Sequence, residues 1–454
     1  MIAQPASSTD SSPFAQRAVW VASFVMALAF FCSEHSVRTS QKIAFTLSAD
    51  EMVSEAGGGN MLRRLAFMSL AALGVGLVIA SRKIRLTWSS PLGWSMLALM
   101  LYCAASTFWS VDPGMTVRRL FVLGLAFVGT VGIGSSFRLR ELCAIALLSA
   151  GMLSLVGLGC ELLLGTFRPW SGEYRFSGSV HPNTQGVYLA AIAFASLCLT
   201  RGDAPRRKLY WCTLMAAVAF LVLTKSRTST AGVLLMLGIT WILLSSNLIR
   251  IWVPLLGGWI AAMAVLFAML MGFDVESKLA KVAFLGREEE TESFSGRTTI
   301  WPTLIPHINE RFWLGHGYDS FWTPAAIEEV THACQWPVRE AHSSYLESLL
   351  HLGVVGLALL LATALFGIVA SLLRYFQGGD PAALFWFAML VNGLFNSMFE
   401  SAMVVISLPT FLIALGLVRL AWCRESAMAA VKRKACEPSF RAVPCSAIGG
   451  WQGQ

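Results

Sequence analysis

The sequence carries little charge. Charged residues make up 13% of its 454 positions and hydrophobic residues 56%, and the mean hydropathy is +0.64. Soluble globular proteins carry about 25% charged residues. This deficit excludes a soluble enzyme, a disordered chain and a secreted disulfide scaffold. The apolar content is instead close to what about twelve membrane helices of roughly 20 residues each require.

The sequence also lacks the short motifs of several enzyme classes. None of the ten cysteines forms a CxxC pair, which excludes a zinc site of that type and a disulfide framework. No DxD pair, GxxxxGKS/T phosphate loop or GxSxG elbow occurs, and no carboxylate cluster matches a magnesium site. We therefore expect no metal ion or other cofactor, so that any phosphate binding would depend on arginine.

Twelve apolar runs predict an all-α polytopic integral membrane protein with about 12 transmembrane helices and a large loop. The runs cover residues 18–33, 65–81, 92–109, 120–136, 142–165, 184–200, 209–224, 229–246, 251–272, 345–373, 383–400 and 402–420. The predicted organisation is a tail over 1–17, helices 1–9 over 18–272, the loop over 273–344, helices 10–12 over 345–420 and a tail over 421–454. The small residues Gly74 and Gly76, and Gly157 and Gly159, predict close approaches between helices.

The basic residues are distributed unevenly between the two sides of these spans. With both tails in the cytoplasm, the inner segments hold 18 basic and 6 acidic residues and the outer segments 16 and 20. The positive-inside rule favours this orientation. The net charge of +8 therefore reflects membrane topology rather than nucleic-acid binding. All seven histidines fall on the outer side or at its edge, so we expect the chemistry on the outer face.

The predicted outer loop over 273–344 is too long for a passive connector. The spacing of the apolar residues predicts an amphipathic helix within it, which Pro306 would bend. These residues are Trp301, Leu304, Ile305, Ile308 and Phe312. The loop is also rich in aromatic residues, of which Trp301, Tyr318 and Trp322 are candidates for stacking on sugar rings. The alternative is that such residues anchor the loop at the membrane interface.

Three groups of basic residues are candidates for binding an anion. Arg118 and Arg119 follow the third span, where they bind either an anionic partner or lipid headgroups. Lys225 and Arg227 lie between two apolar spans with almost no loop, a depth at which a charge usually faces a cavity or a partner. Arg297 opens the amphipathic helix, and guanidinium groups bind phosphate oxygens in bidentate fashion.

Two histidines lie in polar segments next to predicted spans. His181 precedes Asn183 in a turn that either binds a polar ligand or caps the sixth span through Asn183 or Thr184. His342 stands one turn before the tenth span, where an imidazole could exchange a proton near neutral pH. A single histidine is more often structural than catalytic, so its neighbours decide its role.

Residues 60–415 resemble the O-antigen ligase and polysaccharide polymerase superfamily of bacterial inner-membrane glycosyltransferases. The resemblance is carried by WSVDPGMTVRRL (109–120), HPN (181–183), KSRTS (225–229), SGR (295–297) and HSSYLESLLHLGVVGL (342–357). EAGGGNMLRR (55–64) and GHGYDSFW (315–322) are most similar to the ExoQ-type exopolysaccharide polymerase branch.

This resemblance implies a large periplasmic loop, a periplasmic active site in the bacterial inner (cytoplasmic) membrane, and substrates carried on undecaprenyl diphosphate. It also implies membrane lipids, a chain-length regulator and export proteins as partners, and no nucleic acid. The superfamily's paired arginines correspond to Arg227 and Arg297, and its loop histidine corresponds to His342. Ser343 stands where the superfamily usually has asparagine.

The resulting hypothesis is a metal-independent transfer of glycan that polymerises oligosaccharide repeats into exopolysaccharide. Arg227 and Arg297 would stabilise the charge on the leaving diphosphate, and His342 would orient or deprotonate the acceptor hydroxyl. Further contacts to diphosphate or sugar are expected from Arg118, Arg119, His181 and Lys225. Two alternatives stay open at this point: an O-antigen ligase that transfers glycan to lipid A core, and a transporter of the lipid-linked glycan.

Overall fold

The computed structural model describes residues 13–34, 61–81, 87, 89–172, 174–201, 205–245, 257–258, 297–401 and 403–423. All secondary-structure elements within these residues are helices, as the sequence predicts. The predicted span over 251–272, apart from residues 257–258, lies outside the described residues. The same holds for residues 273–296 of the predicted loop and for most of both tails.

Thirteen α-helices occur in the described residues, and eleven of them lie over predicted apolar runs. In chain order they are α1 (Pro13–Glu34), α2 (Met61–Ser81), α3 (Pro91–Ala105), α4 (Pro113–Ser136), α5 (Leu139–Leu163), α6 (Pro182–Leu199), α7 (Arg207–Leu223), α8 (Arg227–Leu244), α9 (Arg297–Glu310), α10 (Pro324–Cys334), α11 (Ser344–Gly378), α12 (Ala382–Asn396) and α13 (Leu408–Trp422). The exceptions are α9 and α10, which belong to the predicted loop.

Seven spans in the described part of the chain are long and apolar enough to cross a membrane. They are α1, α2, α3 together with the 3-10 turn that extends it to Phe108, α4, α5, α8 and α11. Two shorter apolar helices, α12 and α13, have 15 residues each. The chain is therefore a polytopic membrane protein. A total of twelve crossings stays a prediction, because the predicted ninth span falls outside the described residues.

Helix α6 lies at the centre of the bundle. Nearly every side chain from Pro182 to Leu199 is buried, and α5, α7, α8 and α12 pack around it. A helix that is apolar on all faces belongs in such a position. Its run of small residues, AAIAFAS over 190–196, lets neighbouring helices approach closely.

The glycines predicted to allow close packing differ in what they contact. A Cβ atom on Gly132 of α4 would lie 2.4 Å from the backbone of Gly74 in α2, so these two helices touch through their main chains. Gly157 likewise lies against a glycine, in the loop after α5. Gly76 and Gly159 have no described neighbour within 4 Å of such an atom. The prediction is confirmed for Gly74, whereas no described helix approaches at Gly76 or Gly159.

Helices α9 and α10 pack together and against α11. One face of α9 is buried through Ile300, Leu304 and Ile308, which confirms an amphipathic helix. The prediction is wrong for Ile305 and Phe312, which are 50% and 42% exposed; Phe312 lies beyond the end of α9. Trp301 is half-buried and packs at the edge of this core. The predicted loop therefore contains a small helical core of its own.

Helix α11 is broken at Gly353, whose φ and ψ are +64° and −167°. The break leaves the carbonyl groups of Leu350 and His351 without partners in the helix. The backbone N–H groups of His316 and Gly317 donate to them over 2.8 and 2.9 Å. The segment 312–317 after α9 is thereby joined to α11 through its main chain.

Candidate functional site

The candidate site lies where one end of α6 meets the ends of six other helices. We call this region the site end of the bundle: the last turns of α5, α7 and α12 and the first turns of α6, α8, α11 and α13. Three backbone contacts join its loops: Phe176 N–H to Leu223 O at 2.8 Å, and Ser344 N–H to Ser397 O at 2.9 Å and to Glu400 O at 3.1 Å.

The loop between α5 and α6 is folded around Glu161, a buried carboxylate in the last turn of α5. It accepts hydrogen bonds from the Tyr174 hydroxyl at 2.5 Å, from Ser177 N–H at 3.0 Å and from Gly178 N–H at 2.7 Å. Burial, together with the neighbouring Glu161 carboxylate, raises the pKa of Tyr174. Because three groups of the loop point at one carboxylate, Arg175 between them has a fixed backbone position.

Arg175 is directed into the site end. Its Nε donates to Thr224 O and its Nη2 to the Asn183 side-chain oxygen, both at 3.0 Å. Burial lowers the pKa of Arg175 and so does the nearby Arg227, whereas Glu400 raises it. Two guanidinium groups therefore share one region with a carboxylate.

Arg227 is the first residue of α8, and the first turn of this helix is packed between α6 and α12. Ser229 donates to the Asn396 side-chain oxygen at 3.2 Å, and a Cβ atom on Gly186 would lie 2.9 Å from Ser229. Just before this turn, Lys225 has a left-handed φ of +51° and donates to Gly172 O. The KSRTS stretch thus places Arg227 at the site end and holds Lys225 against the loop after α5.

Arg297 opens α9 and reaches across to the segment between α12 and α13. Its Nη2 donates to the Glu400 carboxylate at 2.9 Å, and its Nε to Phe399 O at 3.1 Å. The guanidinium carbon lies 5.9 Å from the centre of the Phe399 ring. The side chain is only 13% exposed, so its charge is partly removed from water.

Glu400 connects these groups. The same carboxylate oxygen that receives Arg297 also accepts from Asn183 Nδ2 at 2.6 Å. Burial raises the pKa of Glu400, and Glu340 raises it further, whereas His342, Arg297 and Asn183 lower it. Glu400 is therefore a mostly buried acid that faces Arg297 and His342, with Glu340 as a second acid nearby.

His342 stands beside Glu400 in a left-handed conformation with φ of +50°. Its Nδ1 lies 3.3 Å from Glu340 Oε1, and its ring is stacked on Trp336 with 6.5 Å between centroids. The neighbouring Ser343 donates to Ser397 O at 3.3 Å. The Ser343 hydroxyl thus bonds to a backbone carbonyl at the position where the superfamily usually has asparagine.

The structure brings the three predicted catalytic residues, Arg227, Arg297 and His342, to the same end of the bundle. It adds three side chains that the sequence did not single out for this role: Arg175, Glu340 and Glu400. Asn183 was considered as a ligand contact or a cap. The cap of α6 is instead His181, whose exposed ring accepts from the Asn183 N–H at 3.3 Å.

The paired arginines after the third predicted span lie elsewhere. Arg119 forms an ion pair with Asp319 at 2.9 Å and also donates to its backbone carbonyl. Arg118 is exposed. Arg119 therefore joins α4 to the GHGYDSFW segment, and this pairing argues against it as a diphosphate ligand.

The aromatic candidates are held by packing. Tyr318 is 8% and Trp322 5% exposed, which leaves no open ring face for a sugar. The Trp322 indole donates to Glu347 at 3.0 Å, and the indole of half-buried Trp301 donates to Ala341 O at 3.0 Å. These contacts support the segment that carries His342, so we assign the three rings a structural role.

A second ionic network lies behind this segment. His351 Nε2 is 3.0 Å from Glu347 and 3.8 Å from Asp319, and Glu347 also accepts from the Ala341 N–H at 2.7 Å. Glu347 and His351, four residues apart, thus pair on one face of α11. Within the segments that the structure describes, no three His, Cys, Asp or Glu residues are grouped to hold a metal ion.

The site end can bind an anion and hold a proton acceptor beside it. Arg297 pairs with the Glu400 carboxylate, and Arg175 interacts electrostatically with both Glu400 and Arg227. The imidazole of His342 stands at the edge. Arg227 and Arg297 are also the first residues of helices, where the backbone N–H groups and helix dipole favour negative charge. Such an arrangement suits a phosphate-bearing substrate whose charge increases during reaction.

A comparison with protein-family models matches part of the chain. Residues 212–361 match the model of a family described as O-antigen ligase, whereas no curated protein matches the chain. The matched segment holds Arg227, Arg297 and His342, and it excludes Arg175, Asn183 and Glu400. The match therefore covers about a third of the chain.

Proposed function

We propose that the protein is a membrane glycosyltransferase that polymerises oligosaccharide repeats carried on undecaprenyl diphosphate. The observation that carries this proposal is the convergence of Arg175, Arg227 and Arg297 with His342 at one end of the bundle. The family match supports the reaction type, and the sequence resemblance supplies the lipid carrier and the exopolysaccharide product.

The reaction is a displacement at the anomeric carbon of the donor sugar. The bond from this carbon to the phosphate oxygen breaks, and its electron pair stays on the lipid diphosphate that leaves. Arg227 and Arg297 stabilise that growing charge, which is most effective in a site shielded from water. The diphosphate ester is itself activated, so the step needs no ATP.

His342 takes the proton of the acceptor hydroxyl as the new glycosidic bond forms. Glu340 lies at its Nδ1, so a proton on that nitrogen leaves Nε2 as the acceptor. Stacking on Trp336 fixes the plane of the ring. A base that is held in orientation in this way loses little entropy when the substrate hydroxyl arrives.

We place the site end on the periplasmic face of the bacterial inner membrane. This orientation rests on the excess of basic residues in the opposite segments, and it puts the acceptor and the growing chain outside the cytoplasm. The apolar helix surfaces beside the site would accommodate the polyprenyl tail.

The test uses purified protein supplied with lipid-linked repeats, without ATP. We expect chain growth by the wild type and no product from Arg227→Ala, Arg297→Ala or His342→Ala. Arg168→Ala is the matched control, since Arg168 is exposed on the loop that carries Arg175, and it should keep full activity.

Near-normal activity of all three variants would refute the proposed site. Movement of lipid-linked repeats across the membrane without any change in their length would favour a transporter. Arg297→Lys separates bidentate from simple charge pairing, because lysine cannot offer the paired donors of a guanidinium. We expect it to be nearly inactive.

A second candidate, ligation of glycan to lipid A core, is favoured by the description of the matched family. Deletion of the gene distinguishes the two. Loss of long chains with single repeats retained on the carrier indicates a polymerase. Loss of glycan from lipid A core, with long chains accumulating on the carrier, indicates a ligase.

A further inference from the structure

Glu400 occupies a position among the arginines that an anionic substrate would also need. One carboxylate oxygen receives both Arg297, at 2.9 Å, and Asn183, at 2.6 Å. Asn183 in turn accepts from Arg175 at 3.0 Å. The carboxylate is 17% exposed, so water screens these contacts only in part.

The charges around Glu400 come from several elements. Arg297 from α9, Arg175 from the loop after α5, and Glu340 and His342 from the segment before α11 all interact with it electrostatically. A diphosphate adds at least two negative charges to this group. Like charges held close together in a partly dry site cannot all remain ionised, so one anion must leave or gain a proton.

We propose that Glu400 is the internal counter-ion of this anion site, which the diphosphate of the lipid carrier displaces from Arg297 while Glu400 takes up one proton from water. The proposal rests on the function proposed above. Once the lipid diphosphate departs, Glu400 releases the proton and pairs with Arg297 again. The same carboxylate thus helps to expel the product.

The sign of the pH dependence follows from the contacts. Burial and Glu340 already raise the pKa of Glu400, and Arg297 is one of the groups that lower it. When Arg297 turns to a phosphate, this lowering is lost and a new negative charge arrives, so the pKa of Glu400 rises further. Binding is then linked to proton uptake and weakens as the pH increases.

The experiment measures binding of undecaprenyl diphosphate to the full-length protein in lipid nanodiscs between pH 5.5 and 8. For one proton taken up, the affinity of the wild type should fall by up to about tenfold per pH unit. Glu400→Gln keeps the shape and a hydrogen-bond acceptor without the charge. At pH 8 this variant should bind undecaprenyl diphosphate at least about tenfold more tightly than the wild type does, and its affinity should change less with pH.

The control is Glu328→Gln, which removes an exposed acid of α10 and should behave as the wild type. Titration of the diphosphate itself contributes equally to all three proteins, so the difference between their slopes is the readout. Calorimetry of the wild type in two buffers of different ionisation enthalpy counts the protons directly, without any variant.

Weaker binding by Glu400→Gln at every pH, or no net proton uptake by the wild type beyond that of the ligand, would overturn the proposal. Glu400 would then only hold Arg297 in place. A different result tests the proposed function itself: if Arg227→Ala and Arg297→Ala bind the diphosphate as well as the wild type, the anion site is not at this end of the bundle.

Discussion

At the scale of single residues, Glu161 determines the position of an arginine that it does not touch. Its carboxylate accepts hydrogen bonds from two hydroxyls and two backbone N–H groups of the loop after α5. Arg175 stands between these anchored residues. A buried acid in the last turn of α5 therefore controls where a positive charge lies at the site end.

Replacing Glu161 by alanine should leave these loop donors without their partner. Each buried donor that loses its hydrogen bond costs about 1–3 kcal/mol, so we expect a clear loss of thermal stability in detergent and a loss of diphosphate binding through Arg175. Unfolding monitored by the protein's own tryptophan fluorescence would measure the first effect. Glu310→Ala, which removes a carboxylate that is 65% exposed, is the control.

The sequence could identify Arg227, Arg297 and His342 because they lie in stretches that resemble a known superfamily. Arg175 and Glu400 had no such marker. They are separated by more than 200 positions in the sequence, and only the meeting of α6 with the segment between α12 and α13 makes them neighbours. The sole available signal for Glu400 is its place at the outer end of an apolar run, and Arg119 carries the same signal although it pairs with Asp319.

At the scale of elements, the break in α11 joins the loop core to the membrane helices. The apolar run over 345–373 predicts one continuous helix. A glycine in an apolar run more often allows close packing between helices. The sequence pattern of this run therefore does not predict the break at Gly353. The φ of +64° and ψ of −167° at this residue belong to a region that almost only glycine adopts.

Gly353→Ala should therefore damage the join between loop and helix. A Cβ atom here would lie 2.3 Å from Trp313 O, and the backbone conformation adds about 1–3 kcal/mol of strain. We expect a lower unfolding temperature and little product.

Gly151→Ala provides the comparison, because Gly151 lies within α5 with no described atom within 4 Å of the added carbon. Alanine favours a helix over glycine by about 1 kcal/mol, so this variant should be at least as stable as the wild type. Equal stability of the two variants would contradict the account of the break.

At the scale of the whole molecule, the two ends of the bundle differ in chemistry. The site end holds the buried acid and the arginines. The opposite end is joined by contacts such as Thr87 N–H to Trp422 O at 2.8 Å and the Tyr375 hydroxyl to Leu243 O at 2.6 Å. The order of the apolar helices in the described residues could be predicted from apolar runs, since each run has to satisfy its own backbone hydrogen bonds. The total of twelve spans stays a prediction.

Cysteine labelling tests which end faces the cytoplasm. In a background without the native cysteines, Glu328→Cys places a thiol near the loop core and Arg206→Cys places one at the other end; both positions are exposed. A membrane-impermeant maleimide added to intact spheroplasts should label the first, and the second only after the membrane is opened. The reverse pattern would place the site in the cytoplasm and contradict the proposed orientation.

The main-chain bonds across the break at Gly353 limit how the protein can admit its substrate. Segment 312–317 is bonded to α11 through backbone hydrogen bonds and not through side chains alone. The segment and the helix should therefore move as one rigid unit and not as a hinged flap. A polyprenyl chain would then have to slip in from the lipid leaflet, sideways between helices, while the sugar end stays in water.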